Sequence, residues 1–374
     1  GTKNGEELPA LWDRKFDISV IDHSKPITSG PLTAGFEYYF GVDVPNFPPY
    51  IFIENNKVVG NPSLKKPNNM YGDAGMMLPG WKLEDILPTL TKKAVEYIDN
   101  YKVNNTDKPF YLQVTTTSPH TPIVPAQDFI GKSQAGPYGD LVNQTDFTLG
   151  EVINALERNN LTENTIVIFT SDNGSPARAG DPYVHGADFQ PPGSVITKFN
   201  HNPNSPNRGM KTDIYEGGHR VPFIVKWPGH FPKNKISNEP ICAVDIMATL
   251  ASIVNYKLPL NSAEDSQDLS SLFMGEKVGV DAGQATIREA IVHHSVNGSF
   301  AIRQDKWKMI PQKGNGGWTH AQSVKKAVNE PEGQLFDLDV DPNETTNLWN
   351  EYPEVVRELQ ALLEKYKTEG KSIN

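Results

Sequence analysis

Apolar residues recur at helical spacing around Glu84–Tyr101 and Gly139–Asn159, and again in "ICAVDIMATLASIV" at Ile241–Val254. Between and after them lie short apolar runs bounded by turn residues, at Phe110–Thr116, Thr165–Thr170 and Val221–Lys226, which read as strands. Strand and helix therefore alternate, and the alternation predicts an α/β fold with a mostly parallel central sheet flanked by helices. Residues 1–80 are rich in turn residues and aromatics ("GFEYYFGVDVPNFPPYIFIEN"), which fits a loop-rich layer with a short strand near Ile51–Ile53. After about Gly275 the texture changes to "EAIVHHSV", "SFAIRQDKWKMI" and "GQLFDLDVD", followed by an amphipathic pattern from Pro353 to about Lys367. That pattern predicts a smaller C-terminal antiparallel sheet with a helix against it. The expected division is residues 1–280 for the α/β part and 281–374 for the C-terminal subdomain.

Composition narrows this picture. A chain of 374 residues with 37% hydrophobic content can bury a substantial core, and 30 prolines with 30 glycines spread along it suit long loops on a regular scaffold. The formal net charge of -10 argues against a nucleic-acid or membrane-surface binder, either of which needs a basic face. No apolar run approaches the roughly 20 residues of a membrane span. The single cysteine, Cys242, excludes an internal disulfide framework, and its apolar "ICAVDI" setting assigns it to helix packing. The opening "GTKNGEELPALWDRKFD" has neither an initiator methionine nor the features of a signal peptide, so a fragment of a longer chain is expected.

Three separated stretches carry candidate chemistry. In "FTSDNG", Asp172 and Asn173 follow a strand, at the carboxyl edge where open α/β sheets bind ligands. A carboxylate and an amide oxygen side by side are hard donors suited to calcium, or less well to magnesium. Taken alone, the triplet also suits an Asx turn that merely ends the strand. In "TTTSPHTPIVP", His120 follows the Phe110–Thr116 run in a proline-stiffened loop, where an imidazole can contact an anion or pass a proton to a leaving group; an ordinary surface histidine is the plainer alternative. In "NRGMKTDIYEGGHRVPFIVKWPG", Lys211 is a compact donor for an oxyanion. Glu216, His219 and Arg220 in the same stretch suit a role in holding the loop. The long polar loop from Ala179 to Gly209 adds His185 and His201 as further substrate-contact candidates. Together the three stretches suit an anionic ester.

At these residues the sequence resembles the sulfatase family, the arylsulfatase-like members of the alkaline-phosphatase superfamily. "SKPITSGPLTAGFEYYFG", "PPYIFIEN", "SPHTP", "TIVIFTSDNG", "RGMKTDIYEGGHRVPFIVKWPG", "VDIMATLASI" and "GQLFDLDVDPNETTNL" look like successive family landmarks covering nearly the whole chain. The resemblance implies an alkaline-phosphatase-like fold, calcium coordination by Asp172 and Asn173, sulfate contact or leaving-group protonation by His120, and sulfate binding by Lys211. It also implies a sulfated carbohydrate substrate, with a galactose-type residue as a candidate, and a periplasmic or extracellular location.

One departure carries weight. Family members have, upstream of these landmarks, a pair of metal-binding aspartates, a C-x-P-S-R or S-x-P-S-R motif whose first residue becomes formylglycine, and a G-K-W-H-type segment. None of these occurs here, and "GSPAR" near Ser175 and "NSPNR" near Ser205 have the wrong spacing. The expectation is that a missing N-terminal segment, or a second chain, completes the sheet and supplies the formylglycine, and that residues 1–374 alone are inactive. Two alternatives stay open on these residues: a phosphate- or phosphonate-ester hydrolase of the same superfamily, and a non-catalytic protein that binds sulfated glycans.

Overall fold

Helical spacing around Ile86 becomes, in the computed structural model, a helix whose buried positions Ile86, Leu87, Leu90, Ala94 and Ile98 follow one stripe. The structure describes residues 21–103, 108–179, 192–318 and 331–373. The chain divides into two compact units, Gly1–Leu161 with Ala177–Asn202, and Thr162–Pro176 with Pro203–Asn374.

In the first unit, short antiparallel ladders form from β1 (Phe40–Gly41), β2 (Ile53–Glu54) and β3 (Lys57–Val58), and from β4 (Leu64–Lys65) with β5 (Met76–Met77). They enclose a core around the buried Tyr50, Met70 and Met77. Helix α1 (Ile86–Val103) packs on α2 (Gly136–Arg158). Pro88 and Pro137 are tolerated because each falls in a first helical turn, whose N–H groups have no intrahelical partner. Between the helices the Thr91 and Thr148 hydroxyls pair at 2.8 Å, and Arg158 grips Asp99 with two bonds of 3.0 and 2.7 Å. Helix α3 (Ser194–Phe199) is tied to 177–179 by the Val195 N–H to the Ala177 carbonyl (2.8 Å) and the Ala179 N–H to Ser194 Oγ (2.8 Å).

Phe110–Thr116 differs from expectation. Its side chains alternate between half-buried and exposed, as a strand's do, yet it joins no sheet among the described residues. Period-2 alternation fixes which face a residue takes; a ladder also needs a partner strand, which local sequence does not encode.

In the second unit, β6 (Val167–Thr170) pairs with β7 (Phe223–Lys226) antiparallel, from Val167 opposite Lys226 to Thr170 opposite Phe223. Helix α4 (Glu216–His219) is a single turn before β7. Helices α5 (Asp245–Ile253) and α6 (Ser270–Phe273) follow, and a core of Phe231, Leu269, Leu272 and Phe273 packs with Ile166, Phe223 and Val225. Cys242 lies in the turn ahead of α5, not inside a helix. The Asp245 carboxylate accepts the Cys242 N–H at 2.7 Å and so stops the helix short of it; burial pushes the Cys242 thiol upward, which keeps it protonated and inert.

The C-terminal part matches expectation closely. Strands β8 (Ile291–His294), β9 (Phe300–Gln304), β10 (Trp307–Ile310) and β11 (Gln334–Asp337) form one antiparallel sheet in the order β11-β10-β9-β8. β9 and β10 meet at a two-residue turn, with Asp305 at φ 50°. Helix α7 (Pro353–Glu369) lays Val356, Leu359, Leu363 and Tyr366 onto Ile302, Met309 and Leu335. Full burial of a leucine is worth roughly 1.5–3 kcal/mol, so Leu359 and Leu363 are principal anchors of this helix. Among the described residues no helix is long and apolar enough to cross a membrane.

Candidate active site

The segment Ser171–Ser175 leaves β6 and turns at once. Ser171 Oγ donates to the Asn173 carbonyl at 3.0 Å, and the Gly174 N–H donates to the Gly218 carbonyl at 2.9 Å. This seat admits only glycine: a Cβ on Gly174 would lie 1.8 Å from the Gly217 carbonyl oxygen. Gly217 is as tightly placed, since its Cβ would lie 2.4 Å from the Gly209 oxygen and 2.6 Å from the Arg208 oxygen, and its N–H donates to Arg208 O at 2.7 Å. The glycines flagged by "DNG", "NRG" and "YEGG" thus let three backbone segments touch where side chains would hold them apart.

Lys211 is brought to the same place. Its N–H donates to the Ser175 carbonyl at 3.3 Å, across 36 residues of chain, and Asn204 bridges alongside, accepting the Ser175 N–H (2.9 Å) and donating to the Ser175 carbonyl (2.8 Å). The lysine sits on a tight turn closed by Asp213, whose N–H reaches the Met210 carbonyl (2.9 Å) and whose carboxylate accepts the Met210 N–H (3.0 Å). Thr212, next to Lys211, is held at φ 83°, a left-handed conformation costly for a β-branched residue. Its carbonyl accepts the Val296 N–H (3.1 Å) and its hydroxyl accepts the Trp318 N–H (3.0 Å), so the surrounding chain enforces the strain.

Asp172 is exposed and Asn173 half-buried, and among the described residues neither side chain has a hydrogen-bonding or ionic partner. Two adjacent hard oxygen donors without competing partners fit calcium, as two of the six to eight oxygens it takes. Among the described residues no cluster of three or more histidine, cysteine or acidic side chains is placed to hold a metal ion. The Lys211 ammonium is half-buried and makes no ion pair among the described residues, which suits a group reserved for an anion.

His120 belongs to the first unit, on a loop braced by Ser118 Oγ against Thr145 Oγ1 of α2 at 2.7 Å and by Thr116 Oγ1 donating to the Ser118 carbonyl at 2.8 Å. The ring is exposed, with Nδ1 2.7 Å from the Thr121 carbonyl. A nitrogen facing a carbonyl must carry the proton, so Nε2 is the basic nitrogen of the neutral ring. His201, exposed just beyond α3, is also in the first unit, and His185 lies outside the described residues.

Sequence reasoning did not find the buried charges beneath the "YEGG" turn. Lys308 on β10 is fully buried between Glu216 (2.9 Å) and Glu344 (2.8 Å). Glu344 also accepts the Glu216 N–H at 2.7 Å, its carbonyl accepts Arg208 Nη1 at 2.6 Å, and Arg303 stands 3.8 Å from Glu216. Burial drives both carboxyls upward; at Glu216 the Lys308 and Arg303 charges outweigh it and hold the group below its ordinary range, whereas at Glu344 burial wins. His219 packs against His293 with ring centroids 4.2 Å apart and the planes tilted by 49°. Burial and then the Lys308 charge press the His219 imidazole down to about 4 and hold His293 well below the usual range, so both are neutral. Lys308 lies on a strand whose last three residues are all buried, so no apolar–polar alternation marks it in the sequence. Arg220 is exposed, and the loop is held by Glu216 instead.

The sulfatase family model matches residues 39–256, and the model for the C-terminal part of N-sulphoglucosamine sulphohydrolase matches residues 210–369. An N-acetylgalactosamine-6-O-sulfatase of Bacteroides thetaiotaomicron is 34% identical over 389 aligned residues, covering 93% of this chain and 71% of the relative. Human arylsulfatase D is 34% identical over 193 residues, covering 52% of this chain and 30% of the relative. A solved sulfatase structure from work on glycosaminoglycan metabolism by Bacteroides thetaiotaomicron superposes with a TM-score of 0.76 at 32% identity, covering 93% of this chain and 76% of that one. The fold is the α/β, alkaline-phosphatase-like fold of sulfuric ester hydrolases. The chain belongs to the sulfatase family. It spans less than a third of the human relative that it matches.

Proposed function

We propose that the complete protein carrying this chain hydrolyses a sulfate ester of a sulfated carbohydrate, with an N-acetylgalactosamine-type 6-O-sulfate as the first candidate. The observation that carries the reading is the backbone bond from Lys211 to Ser175, which joins a lysine with no ion pair among the described residues to the segment bearing Asp172 and Asn173. Similarity to the N-acetylgalactosamine-6-O-sulfatase over 93% of the chain supports the choice of sugar.

In this reading Asp172 and Asn173 are calcium ligands and Lys211 binds a sulfuryl oxygen, where charge grows in the transition state. His120, protonated, gives its proton to the departing sugar oxygen. His185 and His201 are candidate substrate contacts. A calcium ion held by Asp172 and Asn173 would supply positive charge against the sulfuryl oxygens, and the formylglycine typical of the family would supply the nucleophile. Residues 1–280 are then the catalytic part and 281–374 the subdomain that braces it. The proposed location is periplasmic or extracellular, where sulfated glycans are met.

The test is sulfate release from a 6-O-sulfated N-acetylgalactosamine saccharide by the complete gene product, together with the sequence of its upstream segment. Sulfate release with a C-x-P-S-R or S-x-P-S-R motif upstream supports the proposal. Phosphate-ester or phosphonate-ester hydrolysis without sulfate release, or saccharide binding without any turnover, would replace it with one of the two alternative readings.

A further inference from the structure

An exposed tryptophan is pinned to the lysine turn. Trp318 keeps 44% of its surface exposed, although an indole is among the largest apolar groups a chain can carry. Scattered exposed apolar residues are ordinary, so exposure alone assigns nothing. The anchoring of its backbone does. The Trp318 N–H donates to Thr212 Oγ1 at 3.0 Å, and Thr212 is the neighbour of Lys211, about 3.8 Å along the chain. Gly317 lies so close to the turn that a Cβ would stand 2.3 Å from Asp213 Oδ1 and 2.7 Å from the Thr212 carbonyl carbon. Gly316, at φ 60°, leaves no more room, since its Cβ would lie 2.3 Å from Ser295 Oγ. The Asn315 carbonyl accepts the Ile214 N–H at 2.8 Å, and its side chain accepts the Gly317 N–H at 3.1 Å. These contacts over Asn315–Trp318 hold the backbone of a half-exposed tryptophan against the turn that carries Lys211, whose ammonium makes no ion pair among the described residues.

We infer that Trp318 is a specificity-determining residue, a platform on which the apolar face of a substrate pyranose ring stacks while its sulfate meets Lys211. The inference rests on the sulfated-carbohydrate reading above and adds the part of the site that recognises the sugar. A pyranose has one face of C–H groups and an equatorial edge of hydroxyls. An indole covers the first and leaves the second to polar neighbours, the usual division of labour in ligand sites. Thr212, whose hydroxyl receives the Trp318 N–H and whose backbone adjoins Lys211, links the two recognition elements.

The test compares the wild-type complete protein with Trp318→Ala and Trp318→Phe. Two quantities are read: KM for the sulfated saccharide, and the inhibition constant of inorganic sulfate, which reports on the anion pocket alone. The platform predicts that Trp318→Ala raises KM about tenfold, the effect of losing one aromatic contact. It also predicts that sulfate inhibition stays within twofold and that Trp318→Phe restores most of the loss. An unchanged KM overturns it. So does a parallel rise in KM and in the sulfate constant that phenylalanine does not rescue, because that pattern marks a residue that only supports the fold. If the wild type releases no sulfate from any saccharide, the functional reading fails by itself. Titration of the same saccharide into both proteins then still decides, equal dissociation constants overturning the platform and a weaker one in Trp318→Ala sustaining it.

Discussion

The Gly174 N–H donates to the Gly218 carbonyl at 2.9 Å, and the neighbouring Gly217 oxygen occupies the space a side chain on Gly174 would need. This one approach fixes the Asp172–Asn173 turn against the "YEGG" turn. Gly174→Ala is therefore expected to push the two turns apart, with a loss of roughly 1–3 kcal/mol, the usual scale of overpacking. Thermal unfolding checks it, and an unchanged melting temperature would show that the turns separate without cost.

Asp172→Ala removes the exposed carboxylate that no described residue engages. In the complete protein it should lower calcium content and cut turnover steeply while leaving the fold intact. Metal analysis beside a circular dichroism spectrum separates these, and full calcium occupancy in the variant would remove Asp172 from the ligand set.

Lys211→Ala should lower kcat by about a hundredfold or more, as loss of an oxyanion donor does, with a smaller change in KM. Thr212→Gly relieves the strain of φ 83° and also removes the hydroxyl that receives Trp318. The expected result is a folded protein with reduced kcat. A Thr212→Gly protein with wild-type kinetics would show that Lys211 keeps its aim without the strained turn.

Lys308→Met leaves Glu216 and Glu344 buried without their cation. Breaking a buried pair on one side costs about 3–5 kcal/mol, so the variant should unfold at markedly lower denaturant. The triple change Lys308→Met, Glu216→Gln, Glu344→Gln should recover part of that loss, because fewer uncompensated charges stay buried.

His219 gives the protein an acid-sensitive window. Burial and the Lys308 charge hold its imidazole near 4 in the folded state against 6.5 for the free side chain, so between those values the unfolded chain binds the proton and the native one does not. Stability is then independent of this group above pH 6.5 and declines as pH falls from 6.5 toward 4. His293, also depressed by burial and by the Lys308 charge, adds in the same direction. Denaturation midpoints of wild type and His219→Gln across pH 4–7 measure it, and parallel curves would exclude His219 as the source.

The sequence alone determined the elements whose partners are near in the chain. Helices α1, α2 and α7 appear where 3.6-residue periodicity places them, whereas the run "SFAIRQDKWKMI", read as one strand, splits at Asp305 into the β9–β10 hairpin. Asp172, Asn173, His120 and Lys211 stood out in the sequence as candidates because they sit beside glycines and prolines that interrupt the regular elements. Tertiary structure alone decided which of them meet. Lys211 reaches Ser175 because three glycines permit backbone contacts as close as van der Waals radii allow, and no local pattern specifies that distance. The pairing of β6 with β7 and the burial of Lys308 between carboxylates from 92 and 36 residues away were likewise set by packing. Periodicity tells a side chain which face to take. The free energy of a buried charge or a strand edge depends on what long-range folding brings against it.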